Sequence, residues 1–193
     1  MKMSLRSMVL FLLASLLFVA GANAQTDRTF TDVKNGFSVG YPSDFRAVTG
    51  KAAASDTAMG DPGIGKKLVK VTPKHIPAKY HGDYEFSVWS GITKANCGAP
   101  VADEAIGIPI EVPAEGAKTM KIGGRTFYAY SGSEGGMSKS MGISGFRGMV
   151  GKRCWQIQSM AYQVSAFDDF KGFDSKIIDK AFEKFVASFK FRK

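Results

Sequence analysis

The sequence predicts an α+β domain in which an antiparallel β-sheet carries a C-terminal amphipathic helix packed on one face. Three observations predict it: two hairpin signals, at Asn35-Gly36 and Gly123-Gly124; apolar/polar alternation in several segments between them and the end; and a single run of helical spacing, after Asp174. No internal repeat and no linker of disordered composition interrupts the chain, so one domain is expected over 25–193.

The first 24 residues are expected to be a cleaved secretory signal peptide. Lys2 and Arg6 give a positive start, MVLFLLASLLFVA an apolar stretch short of a bilayer span, and Ala22-Asn23-Ala24 a small-residue cleavage box. No cysteine follows the box, so no lipid anchor is expected, and no later segment is long and apolar enough to cross a membrane. The expected location is periplasmic or secreted. Loss of Lys2 and Arg6 leaves 24 basic against 17 acidic residues, a charge of +7. A basic exported protein meets anionic lipid headgroups, cell-wall polymers or acidic proteins, and the expected partner is an envelope protein or an anionic surface polymer. Nucleic acid is not an expected partner, because no basic run is interleaved with aromatics.

The elements follow in order. Asn35-Gly36 should turn the chain so that Phe30–Val33 pairs back on Phe37, Val39 and Tyr41, whose alternation with Ser38 and Gly40 has the period of a half-buried strand. A strict two-residue turn would set Asp32 and Lys34 beside the apolar face, so a longer loop is expected, and Pro42 should end the strand. Residues 43–66 read as an irregular connection, and 68–72 resume as a strand. Tyr84, Phe86, Val88 and Ile92 alternate with Glu85, Ser87 and Gly91, with Trp89 breaking the polar face.

Pro100, Pro109 and Pro113 mark a loop-rich region. Residues 118–122 and 125–130 form the second hairpin around Gly123-Gly124. Residues 131–148 read as a flexible glycine- and serine-rich loop. A strand or strand pair follows at 146–162, with Cys154, Gln156, Gln158, Met160 and Tyr162 on one face and Trp155, Ile157 and Ala161 on the other, more buried one. Asp174 should cap a helix from Ser175 whose apolar side is Ile177, Ile178, Ala181, Phe182, Phe185, Val186 and Phe189.

Two cysteines, Cys97 and Cys154, in an exported chain favour one structural disulfide. Their spacing excludes a C-x-x-C redox site.

The motifs that could carry chemistry are few. Gly36, Ser38 and Gly40 spell G-x-S-x-G, but a nucleophile elbow needs a strand before the serine and a helix after it, whereas here a turn precedes and a strand follows. Ser38 is expected to be an outward-facing strand residue, and a serine hydrolase using it is the weakest alternative. His75 and His81 lack the spacing of a metal site, and Met137, Met141 and Met149 read as gap-fillers in preference to a cuprous site. The run SGSEGGMSKSMGISGFRG lacks G-K-[ST], so it is no phosphate loop. No catalytic residue, metal or other cofactor is expected. A binding surface is expected at Tyr128, Tyr130, Ser131, Ser133, Glu134 and Met137, where a rigid sheet would present the loop.

NGFSVGYPSDF (35–45) resembles the opening of PsbP-like proteins, and AFEKFVASFKF (181–191) is similar to the way that superfamily ends. The resemblance covers these two ends. It implies an antiparallel sheet flanked by helices in an exported, non-catalytic accessory protein; the plant members assist a membrane-bound photosystem. The functional expectation is a non-enzymatic binding or accessory protein of the cell envelope, contacting a protein or an anionic surface component. The alternative is an exported inhibitor of a wall-degrading, lysozyme-like enzyme that uses the 131–145 loop as a plug.

Overall fold

A computed structural model describes residues 27–54, 65–77, 80–92, 97, 110–111, 118–136, 138–164 and 172–192. The leader expected at 1–24, Met137 and most of the proline-marked region lie outside them. The first hairpin joins β1 (Arg28–Asp32) to β2 (Phe37–Tyr41), with Asp32 opposite Phe37. Its loop is the longer one expected. Asp32 closes it by accepting from the Asn35 backbone N–H at 2.9 Å and from Asn35 Nδ2 at 2.7 Å. Only Gly36 takes a positive φ there, +72°.

The segment 43–66 is less irregular than its composition implies. It contains β3 (Phe45–Thr49) and a one-turn helix, α1 (Lys51–Ala54), before β4 (Lys66–Pro73). Phe45 and Val69 both enter the apolar core once β3 and β4 pair, a gain that a local reading cannot see. Then come β5 (Gly82–Ile92), β6 (Ile110–Glu111), β7 (Thr119–Ile122), β8 (Arg125–Gly136), β9 (Lys139–Val150) and β10 (Arg153–Val164). The helix α2 (Ser175–Ala187) and a two-residue strand, β11 (Lys190–Phe191), end the fold.

Residues 131–136 and 139–148 are therefore not loop. They belong to β8 and β9, which pair from Tyr128–Arg147 to Gly136–Lys139. The large sheet runs β3-β4-β5-β10-β9-β8-β6, with β7 also paired to β8, and every pairing is antiparallel. A second sheet runs β1-β2-β11, so the C-terminal tail returns to the first hairpin.

The core lies between these sheets and α2. Asp174 caps the helix by accepting from the Lys176 N–H at 3.0 Å, as the sequence predicts. Ile178, Phe182, Phe185 and Val186 are buried, whereas Ile177 is 64% exposed and does not belong to the apolar side. Phe86 meets Phe182 at 5.4 Å and Phe185 at 5.5 Å between ring centroids, and Phe37 stacks on Phe189 at 5.2 Å. Burying each such ring is worth about 1.5–3 kcal/mol.

The other face of the large sheet is buried too, against expectation. Gln156 and Gln158 are fully or almost fully enclosed, and Lys67, Lys70 and Glu85 are buried on neighbouring strands. Lys67 Nζ lies 2.9 Å from Glu85 Oε1 and over the Trp89 ring; Lys70 Nζ lies 3.8 Å from Glu85 Oε2. Arg147 Nε donates to Gln156 Oε1 at 3.1 Å, and Gln156 Nε2 donates to Gln158 Oε1 at 2.6 Å. These bonds offset the desolvation that burial imposes. Cys97, bonded to Cys154 with Cα atoms 5.5 Å apart, packs on this face against Trp89 and Met149.

Candidate functional site: a groove floored by serine and glycine

The strand pairing gives the glycine- and serine-rich composition a physical meaning. Because side chains alternate along β8 and β9, Ser131, Ser133 and Gly135 fall on the face that carries α2, as do Ser140, Gly142 and Ser144. Across the three strands Ser131 lies opposite Ser144, and Ser144 opposite Ser159. The alternate positions, Tyr130, Met141 and Ile143, are large and buried on the far face. One face of the hairpin is thus filled and the other is left shallow.

The helix does not fill that shallow side. A groove of about 870 Å³ runs between α2 and the β7–β9 strands, walled by Phe146, Phe182 and Val186 and floored in part by Ser131 and Ser144. Lys118 and Lys121 stand on its outer lip, Asp179 and Glu183 on the helix lip. A second depression of about 510 Å³ continues toward the hairpin tip past Ser133, Glu134 and Ser159, sharing Ser144 and Asp179 with the first. Volumes of this order suit small-molecule or chain-like ligands. The backbone of the floor is already paired on both sides of β9, so a ligand must be recognised by side chains and cannot add as a strand there.

Ser131, Ser133 and Glu134 of the expected surface border this groove. Tyr128 is half-buried and lies opposite Arg147, on the face away from the helix. Tyr130 also borders the groove, yet its ring is buried on that far face, where its hydroxyl donates to Gln158 Oε1 at 3.0 Å. The Arg147 guanidinium carbon lies 5.3 Å from the centre of its ring. Burial pushes the Tyr130 hydroxyl pKa well above its ordinary value, with the Arg147 charge acting the other way. Tyr130 can lie there because its cross-strand partner is Gly145: a Cβ at that position would meet the tyrosine oxygen at 2.7 Å. Sequence alone hid Ser140 and Ser144, and the signal that could have found them was the alternation of small with large residues inside the supposed loop; Ser159 lies in the expected strand and joins them only through the pairing of β9 with β10.

The remaining candidates are not brought together. Ser38 sits mid-strand, opposite Thr31 on one side and Lys190 on the other, with no helix following it. Met141 packs with Tyr130 and Ile143, Met149 with Trp89 and the disulfide, so these two methionines belong to different clusters. Among the described residues, no group of three or more His, Cys, Asp or Glu is placed to hold a metal.

No family model matches the sequence, and no curated protein matches it significantly. Several solved structures are similar, the following three among them. LpqN of Mycobacterium tuberculosis, described as involved in cell envelope biogenesis, is 10% identical with a TM-score of 0.52, over 87% of this chain and 91% of LpqN. CyanoP, the cyanobacterial PsbP of Synechocystis sp. PCC 6803, is 12% identical with a TM-score of 0.45, over 89% of this chain and 96% of that one. A Bacteroides thetaiotaomicron VPI-5482 protein is 16% identical with a TM-score of 0.44, over 86% of this chain; the chain spans about half, 48%, of that protein's length. What this chain shares with LpqN is its fold: a broad antiparallel sheet with a C-terminal helix packed against it.

Proposed function

We propose that this chain is an exported, non-enzymatic binding protein of the cell envelope, and that the groove beside α2 seats an elongated, largely apolar ligand. The observation that carries the reading is the cross-strand pair Ser131–Ser144 on the floor between the strands and α2, a row that Ser159 continues into the second depression. Hydroxyls on the floor and phenyl and valine side chains on the walls suit a ligand with an apolar body and a few polar groups. The disulfide supports an oxidising compartment. The resemblance of 35–45 and 181–191 to PsbP-like proteins, and the involvement of LpqN in cell envelope biogenesis, support an accessory role over a catalytic one.

The test is a fluorescence titration with the apolar anion 1-anilinonaphthalene-8-sulfonate. The wild-type chain should show saturable binding, and S131F or S144F, which fill the groove, should weaken it by about tenfold or more with an unchanged melting temperature. Equal binding by both variants would remove the groove from the account.

A further inference from the structure

The outer surface of α2 segregates its charges. Lys176, Lys180 and Lys184 stand one turn apart and all border a depression of about 340 Å³ that also includes Phe45, Tyr84 and Ile177. Asp179 and Glu183 stand on the opposite flank, over the serine-floored groove. Each flank therefore sets like charges four residues apart, an arrangement that weakens an isolated helix. None of these five side chains forms an ion pair or hydrogen bond among the described residues. Opposite charges adjoin only at a spacing of three, Lys176 with Asp179 and Lys180 with Glu183, and neither pair closes into an ion pair among the described residues.

We infer that the lysine flank of α2 docks on an anionic phospholipid bilayer. Charge complementarity selects an anionic partner, and three lysines near a surface of that sign supply cooperative attraction. Ile177 selects a bilayer over a soluble polyanion. It is 64% exposed, borders the same depression, and has an apolar side chain that an interfacial layer can take up and a dissolved polymer cannot. The one carboxylate bordering the depression is Asp44, against three lysines. Docking through this flank would leave the groove on the other flank free, and it stands whether or not that groove holds a ligand.

The experiment is co-sedimentation of the processed protein, lacking residues 1–24, with phosphatidylglycerol/phosphatidylcholine vesicles and with phosphatidylcholine alone. Binding is expected only to the anionic vesicles. K176Q/K180Q/K184Q should weaken it by about 100-fold, and D179N/E183Q should not weaken it. The I177W indole should shift its emission to shorter wavelength on the anionic vesicles. Unchanged binding by the triple-lysine variant, or an unshifted I177W emission, would overturn the inference. So would binding to soluble polyphosphate with none to vesicles, which would assign the flank to a polyanion.

Discussion

Ser188 Oγ accepts a hydrogen bond from the Gly40 backbone N–H at 2.7 Å and lies 2.7 Å from the Phe185 carbonyl, tying the end of α2 to the middle of β2. The contact accounts for a sequence pattern that otherwise suggests catalysis. Gly36 is required by a positive φ, and a Cβ on Gly40 would meet Ser188 Cβ at 3.1 Å. Between them Ser38 holds a strand position. G-x-S-x-G arises here from a turn and a helix approach.

The first prediction follows from that contact. Gly40→Ala should destabilise the chain by about 1–3 kcal/mol through crowding, and Ser188→Ala by about 1 kcal/mol through the lost hydrogen bond. Ser38→Ala should change the urea midpoint little, and a fluorophosphonate probe should not label Ser38. Labelling that disappears in Ser38→Ala would contradict the scaffold role.

The disulfide joins residues 57 apart, Cys97 on the far face and Cys154 at the start of β10. Chain entropy gives such a loop about 4 kcal/mol of stabilisation. Cys97→Ser/Cys154→Ser should lower stability by that order, measured by urea unfolding, and reduction of the wild-type chain should reproduce the loss.

Tyr130 gives a pH prediction with a definite sign. Its folded pKa lies above the unfolded value near 10 because its hydroxyl is buried. The unfolded chain therefore releases this proton first, so stability is undiminished below about pH 10 and falls above it by at most about 1.4 kcal/mol per pH unit. Tyr130→Phe should lose about 1 kcal/mol at neutral pH with the Gln158 bond. It should also show a shallower decline between about pH 10 and 11. Parallel declines for the two proteins would contradict the buried position.

Much of the frame was legible locally. The Asn35-Gly36 and Gly123-Gly124 turns, the Phe37-Val39-Tyr41 alternation and the Asp174 cap each depend on a few neighbouring residues. The groove was not, because it exists only once Ser131, Ser144 and Ser159 line up from three strands, and Ser131 and Ser144 alone read as loop. Lys67 and Lys70 read as surface lysines for the same reason: their carboxylate, Glu85, is on another strand. Ile177 fits the helical spacing, yet it falls just outside the arc that α2 buries.

The central claim is that the small residues of β8, β9 and β10 form an open floor facing α2. Amide NMR shifts recorded while the apolar anion is titrated test it most directly. The account predicts the largest changes at Ser131, Ser144, Ser159, Phe182 and Val186, with little at Ser38 or Thr31. Changes confined to β1 and β2, with the β8–β9 amides unmoved at saturation, would contradict it.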